Sequence, residues 1–158
     1  MTQPTFSSNY SSEEGLNDLT PLLKGSGQGG RWTLIPSGKG IERRFQFKGF
    51  KKTWEFMNLI APECIKQKHH PEWSNVYNTT YIRWTTHSPP GLSAKDVLMA
   101  RFCDEQAEKC GEVVQEEGEG EKEGVKGGED GDVGKGLVDR VASEAGDCCV
   151  PKGKGKGT

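Results

Sequence analysis

IERRFQFKGFKKTWEFMN, residues 41–58, changes its period part-way along. Ile41, Arg43, Phe45 and Phe47 alternate with Glu42, Arg44, Gln46 and Lys48. Alternation with one polar face predicts an antiparallel strand, packed on a core on one side and wetted on the other. From Lys51 the apolar spacing becomes helical. Trp54, Met57, Ala61, Cys64 and Ile65 fall close to one stripe, which predicts a helix over 51–67 lying on the sheet. A wetted strand running into an amphipathic helix is the unit of a layered α+β domain.

Upstream, Arg31–Ile35 reads as a strand and Pro36–Gly40 as its turn, so 31–48 is most simply a hairpin. Leu16, Leu19, Leu22 and Leu23 recur at helical spacing and predict a short helix ending at Gly25, with Pro21 against it. The run GSGQGG joins the two as a flexible connector. Downstream, Pro62 takes away the amide that would bond Asn58, at a cost of roughly 3 kcal/mol unless the helix bends. A bend is therefore expected just before His69. Thr80, Ile82 and Trp84 alternate with Tyr81, Arg83 and Thr85 in a further strand, with a short one before it near 75–78. SPPG (88–91) can be neither helix nor central strand. Ser93 then caps a last helix, with Asp96 at the capping-box position, and the apolar pattern fades near Cys110. The expected architecture is α+β, order α-β-β-α-β-β-α: a four-stranded antiparallel sheet with three helices on one face.

Composition divides the chain. Residues 1–110 carry 14 basic and 11 acidic side chains, whereas 111–158 carry 7 basic and 12 acidic, so the net charge of −2 hides an acidic tail. The expected division is a disordered segment 1–15, a folded domain 16–110 and a disordered, Gly-rich charged tail 111–158. The scattered basic residues of the body are not a nucleic-acid footprint. No apolar run reaches membrane-spanning length, and the first residues show neither a signal-peptide nor a transit pattern. Five cysteines without CxxC spacing suggest free thiols in a reducing compartment, and a cytoplasmic protein, the nucleus remaining open.

The chain has three histidines, and all lie at the ends of HHPEWSNVYNTTYIRWTTH, residues 69–87. Neutral imidazole takes a proton and imidazolium gives one near neutral pH. His69, His70 and His87 around one pocket could therefore do general acid–base work with neither metal nor cofactor. Pro71 narrows the backbone freedom of His70. A zinc site is the other reading of three imidazoles, but adjacent histidines point in different directions and Glu72 is the only carboxylate beside them. Trp73 and Tyr77 could stack on a flat ligand or belong to the core. Asp96 is explained equally by helix capping.

HHPEWSNVYN, followed by TH at 86–87 and GLSAKD at 91–96, resembles the pterin-4a-carbinolamine dehydratase family. The pattern is His-His-Pro, an aromatic six residues after the proline, a histidine ten residues later and an aspartate after a short loop. Here these are His69, His70, Pro71, Tyr77, His87 and Asp96, and the resemblance extends over about 16–109. It implies three helices on a four-stranded antiparallel sheet, with loss of water from 4a-hydroxytetrahydropterin to give the quinonoid dihydropterin. It implies His69, His70 and His87 as catalytic residues: His69 and His87 in proton transfer, His70 holding the substrate near its 4a-hydroxyl. Pro71, Trp73, Tyr77 and Asp96 would join His70 in binding substrate, with no cofactor and no metal. It further implies a homodimer or homotetramer. Members that act as partner-stabilising factors leave a non-catalytic scaffold as the alternative. The chain departs from the pattern at Ile65, where the family usually carries an ionisable residue, most often Glu.

Overall fold

The computed structural model describes residues 1–114 and 133–145. In chain order the elements are α1 (Ser12–Leu19), a 3-10 turn (Thr20–Leu22), β1 (Thr33–Leu34), β2 (Gly40–Gln46), α2 (Phe50–Gln67), β3 (Glu72–Val76), β4 (Thr79–His87), β5 (Pro90–Gly91), α3 (Ala94–Lys109) and α4 (Val133–Glu144). The sheet has the order β1-β2-β4-β3 and is antiparallel throughout, with β5 folded back on the end of β4. The α+β class and antiparallel sheet are those expected; the short β5 and α4 are additional.

Register fixes what each face carries. Ile41 stands opposite Trp84, Arg43 opposite Ile82 and Phe45 opposite Thr80. All four apolar members are fully buried under α1–α3, packed with Phe47, Phe56, Ile60, Met99 and Cys103. Burying that many large side chains, at about 25 cal/mol per Å² of apolar area, is what orders the chain. Arg43 reaches this face as well. Its guanidinium lies over the Phe45 ring and pairs with Asp104 and Glu112. Burial raises the Asp104 carboxyl above its ordinary value, against the pull of Arg43 and the Trp32 indole N–H.

Helix α2 differs from its sequence reading in the stripe that it turns to the core. It is continuous from Phe50 to Gln67, with Pro62 standing exposed inside it. Its buried residues are Thr53, Phe56 and Ile60, whereas Trp54 is 49% and Ile65 79% exposed. Apolar residues run almost all round this helix, so periodicity alone could not choose the core-facing stripe. Thr53 tolerates burial because its hydroxyl donates to the Gly49 carbonyl at 3.0 Å.

The ends of the chain also depart from expectation. Residues 5–10 were expected to be disordered, yet they form a strap across the domain. Thr5 N–H donates to Gly38 O, Ser7 N–H to Leu92 O and Leu92 N–H to Thr5 O. Ser7 and Tyr10 are buried, and the Tyr10 hydroxyl donates to Asp18. Backbone pairing of this kind leaves no compositional mark, which is why a Ser-rich segment read as unstructured. Gly91 (φ 123°) makes room for the strap: a Cβ there would fall 2.7 Å from the Phe6 carbonyl carbon. Helix α1 starts earlier than expected, with the Ser11 hydroxyl accepting from Glu14 N–H. Pro21 falls in the turn after α1, where its missing amide costs nothing.

At the other end the packed chain continues past Cys110. Glu112 pairs with Arg43, and Val113 N–H donates to Gln46 O at 2.8 Å. Residues 133–144 were expected to be tail, and form α4 on the sheet face opposite α1–α3. Gly134 allows the close approach, since a Cβ there would lie 3.2 Å from Tyr81 Cβ, and its carbonyl accepts from the Ser74 hydroxyl at 2.8 Å. The expectations for 115–132 and 146–158 lie outside the described residues.

Candidate active site

The αL residue Lys68 (φ 51°) ends α2 and throws the chain back toward the sheet. His69 and His70 come directly after it, and β4 delivers His87 to the same place. The ring centroids of His69 and His70 lie 6.4 Å apart, and those of His70 and His87 5.6 Å apart, edge to face. All three line a cavity of about 390 Å³, which Asn9, Lys68 and Lys95 also border.

His69 is the most firmly held. Its ring stacks on Trp84 at 5.6 Å, and its Nε2 lies 2.6 Å from Oδ1 of the fully buried Asp96. The other Asp96 oxygen accepts from Ser93 N–H at 2.8 Å and the Thr86 hydroxyl at 2.8 Å. An ionised carboxylate can only accept, so His69 donates from Nε2 and its lone pair in the neutral form is on Nδ1. Asp96 thus caps α3 and fixes the His69 tautomer with the same group, as a carboxylate does for an imidazole base. His87 is held more loosely: its Nε2 lies 3.2 Å from Glu72 Oε1, and its side chain is 31% exposed.

The other expected site residues are not all gathered here. Pro71 and Trp73 are half-buried on the chain leading into and along β3, and Trp73 packs against the core. Tyr77, 66% exposed with φ 51°, sits in the turn between β3 and β4, at the far end of the strand pair from the histidines. None of the three borders the cavity. Asp96 does not border it either; it touches His69, which does. Sequence reasoning missed Thr86, Asn9 and the partnership of Glu72 with His87. The last had a signal, because Glu72 begins a strand that must pair with the one ending at His87. Among the described residues no group of three or more His, Cys, Asp or Glu side chains is placed to hold a metal ion, and no helix is long and apolar enough to cross a membrane.

The sequence profile of the pterin 4 alpha carbinolamine dehydratase family matches residues 10–106, which include all three histidines and Asp96. The chain belongs to this family. A relative from Novosphingobium aromaticivorans, named "Putative pterin-4-alpha-carbinolamine dehydratase", is 49% identical over 70 residues, 44% of this chain and 73% of the relative. One of the same name from Burkholderia cenocepacia is 41% identical over 73 residues, 46% of this chain and 72% of its own length. The crystal structure of a transcriptional coactivator/pterin dehydratase from Brucella melitensis superposes with a TM-score of 0.53 at 32% identity, covering 61% of this chain and 96% of that one. The match to the pterin carbinolamine dehydratase profile stops at residue 106, short of α4.

Proposed function

We propose that this protein dehydrates 4a-hydroxytetrahydropterin to the quinonoid dihydropterin by histidine general acid–base catalysis, and serves the recycling of tetrahydrobiopterin. The observation that supports this most is the convergence of three imidazoles on one cavity, with His69 held in a defined tautomer by a buried carboxylate. In the reaction the bond from C4a to its hydroxyl breaks, the hydroxyl leaves as water with a proton from an acid, and a base removes the proton of N5 as the C4a=N5 double bond forms. His69 and His87 carry the two protons, and His70, between them, holds the substrate near its 4a-hydroxyl. Such proton transfers contribute typically about 10²–10⁴ in rate each. Replacing His87 by Ala is expected to lower kcat for 4a-hydroxytetrahydropterin by at least about 10²-fold with the circular dichroism spectrum unchanged. Wild-type turnover by that variant would sink the assignment.

The Brucella protein's coactivator name favours a second reading, a partner-binding scaffold on the same fold. The two separate cleanly. A purified chain with no dehydratase activity that retains one stoichiometric protein partner, independently of the histidines, is a scaffold.

A further inference from the structure

On the sheet face that carries α4, one row of charge crosses three strands. Arg83 on β4 stands opposite Glu42 on β2 and Glu72 on β3. Its Nε and Nη2 donate to Glu42 Oε2 at 3.1 and 2.9 Å, and Nη1 reaches Glu72 Oε2 at 3.4 Å. A third carboxylate arrives from outside the sheet: Asp139 on α4 also accepts from Nη2. Asp139 is steadied by Lys135 one turn earlier, at 2.6 Å. Glu72 turns its other oxygen to His87. A continuous line of contacts therefore runs Asp139–Arg83–Glu72–His87, from a helix beyond the end of the family profile to an imidazole of the cavity.

Arg83 is held charged. Burial works against its charge, but Asp139 and Glu42 outweigh burial and raise its pKa. Lys135 foremost, with Arg83 behind it and burial opposing, keeps the Asp139 carboxyl below its ordinary value. A guanidinium left to itself prefers to grip a carboxylate with two nitrogens at once. Here Glu42 and Asp139 occupy Nε and Nη2, so that Glu72 is held by Nη1 alone and keeps one oxygen for His87.

We propose that Arg83 and Asp139 are positioning residues for His87. Docking of α4 balances the charge of Arg83, keeps Glu72 turned to the imidazole, and so sets how readily His87 takes and gives its proton. This rests on the assignment of His87 to proton transfer. Among the described residues, other groups near His87 include His70 at 5.6 Å, Lys68, Lys95 and His69 in the cavity wall, with Asp96 behind His69. They remain in place in Asp139→Asn and Arg83→Gln alike, so the difference between these variants reports the line through Arg83.

Asp139→Asn removes a negative charge and lets Arg83 claim more of Glu72; both effects disfavour imidazolium at His87. Arg83→Gln removes the competitor and leaves Glu72 to His87, which favours imidazolium. The experiment is an NMR titration of the His87 ring in the full chain. The midpoint is expected to fall by about half a pH unit in Asp139→Asn and to rise by a similar amount in Arg83→Gln. Midpoints that stay put, or that move in the same direction, overturn the proposal. Asp139 is half-exposed on α4, so its variant threatens the core least. Should Arg83→Gln not fold, a fall in Asp139→Asn upholds the proposal and no change overturns it. The titration needs no substrate. Shifts of the expected sign in a protein that dehydrates no pterin would remove the proposed function and leave the Arg83 line standing. Where activity is present, the pH profile of kcat/KM moves with the titration.

Discussion

Asp96 does two jobs with one carboxylate. Its Oδ2 accepts from Ser93 N–H and the Thr86 hydroxyl, which closes the start of α3, and its Oδ1 accepts from His69. In an Asp96→Asn variant the Oδ2 position must remain an oxygen, because a backbone N–H points at it. The new NH₂ group then faces His69 Nε2 and forces the other tautomer, with Nδ1 protonated. Dehydratase kcat is expected to fall about 10²–10⁴-fold while the fold persists. Rates near wild type, measured beside a thermal melt, would show that the tautomer of His69 does not matter. Elsewhere burial pushes the Cys64 thiol up to about 11 and the Cys103 thiol well above its ordinary value, so neither is a thiolate at neutral pH.

Helix α2 shows what happens when an element has more apolar surface than its own domain can cover. Thr53, Phe56 and Ile60 face the sheet, while Phe50 and Trp54, in ring contact at 5.7 Å, are about half exposed. Exposed aromatics next to one another on a helix mark an interaction surface more often than chance exposure. A homodimer or homotetramer joined through this face is the expectation. Replacing Phe50 and Trp54 by Ser should reduce the mass seen by light scattering to that of a single chain, with the helical signal retained. An unchanged mass would place the contact elsewhere, or show that the chain is already single. The same surplus misled the periodicity: with apolar residues on every side, Trp54 and Ile65 fit a helical stripe as well as Phe56 and Ile60 do.

At the scale of the molecule, the domain is closed by segments whose composition gives little sign of it. The strap at 5–10 and the stretch 111–114 both pair backbone to backbone with the body, and Glu112 neutralises the buried head of Arg43. Ending the chain after Cys110 should therefore cost about 1–3 kcal/mol more than ending it after Val114, read from urea unfolding. The shorter cut leaves Arg43 one carboxylate poorer; equal stability of the two would show that Asp104 suffices. Much of this molecule was legible beforehand. Alternation at 41–47 and 80–85, the change of period at Lys51 and the Ser93–Asp96 cap determined strands and helices, because side-chain burial repeats with the geometry of each element; the face expected to be wetted is instead covered in part by α4, with Glu42, Tyr81 and Arg83 buried. The sequence alone also put His69 and His70 at the end of a helix and His87 at the end of a strand, where they could converge if those ends were neighbours, as they are. Only the tertiary structure decided the rest: which face of α2 turns inward, that Tyr77 lies away from the cavity, and that Asp139 reaches Arg83. Those outcomes depend on contacts between residues far apart in the chain, and such contacts are set by packing and charge pairing rather than by any local period.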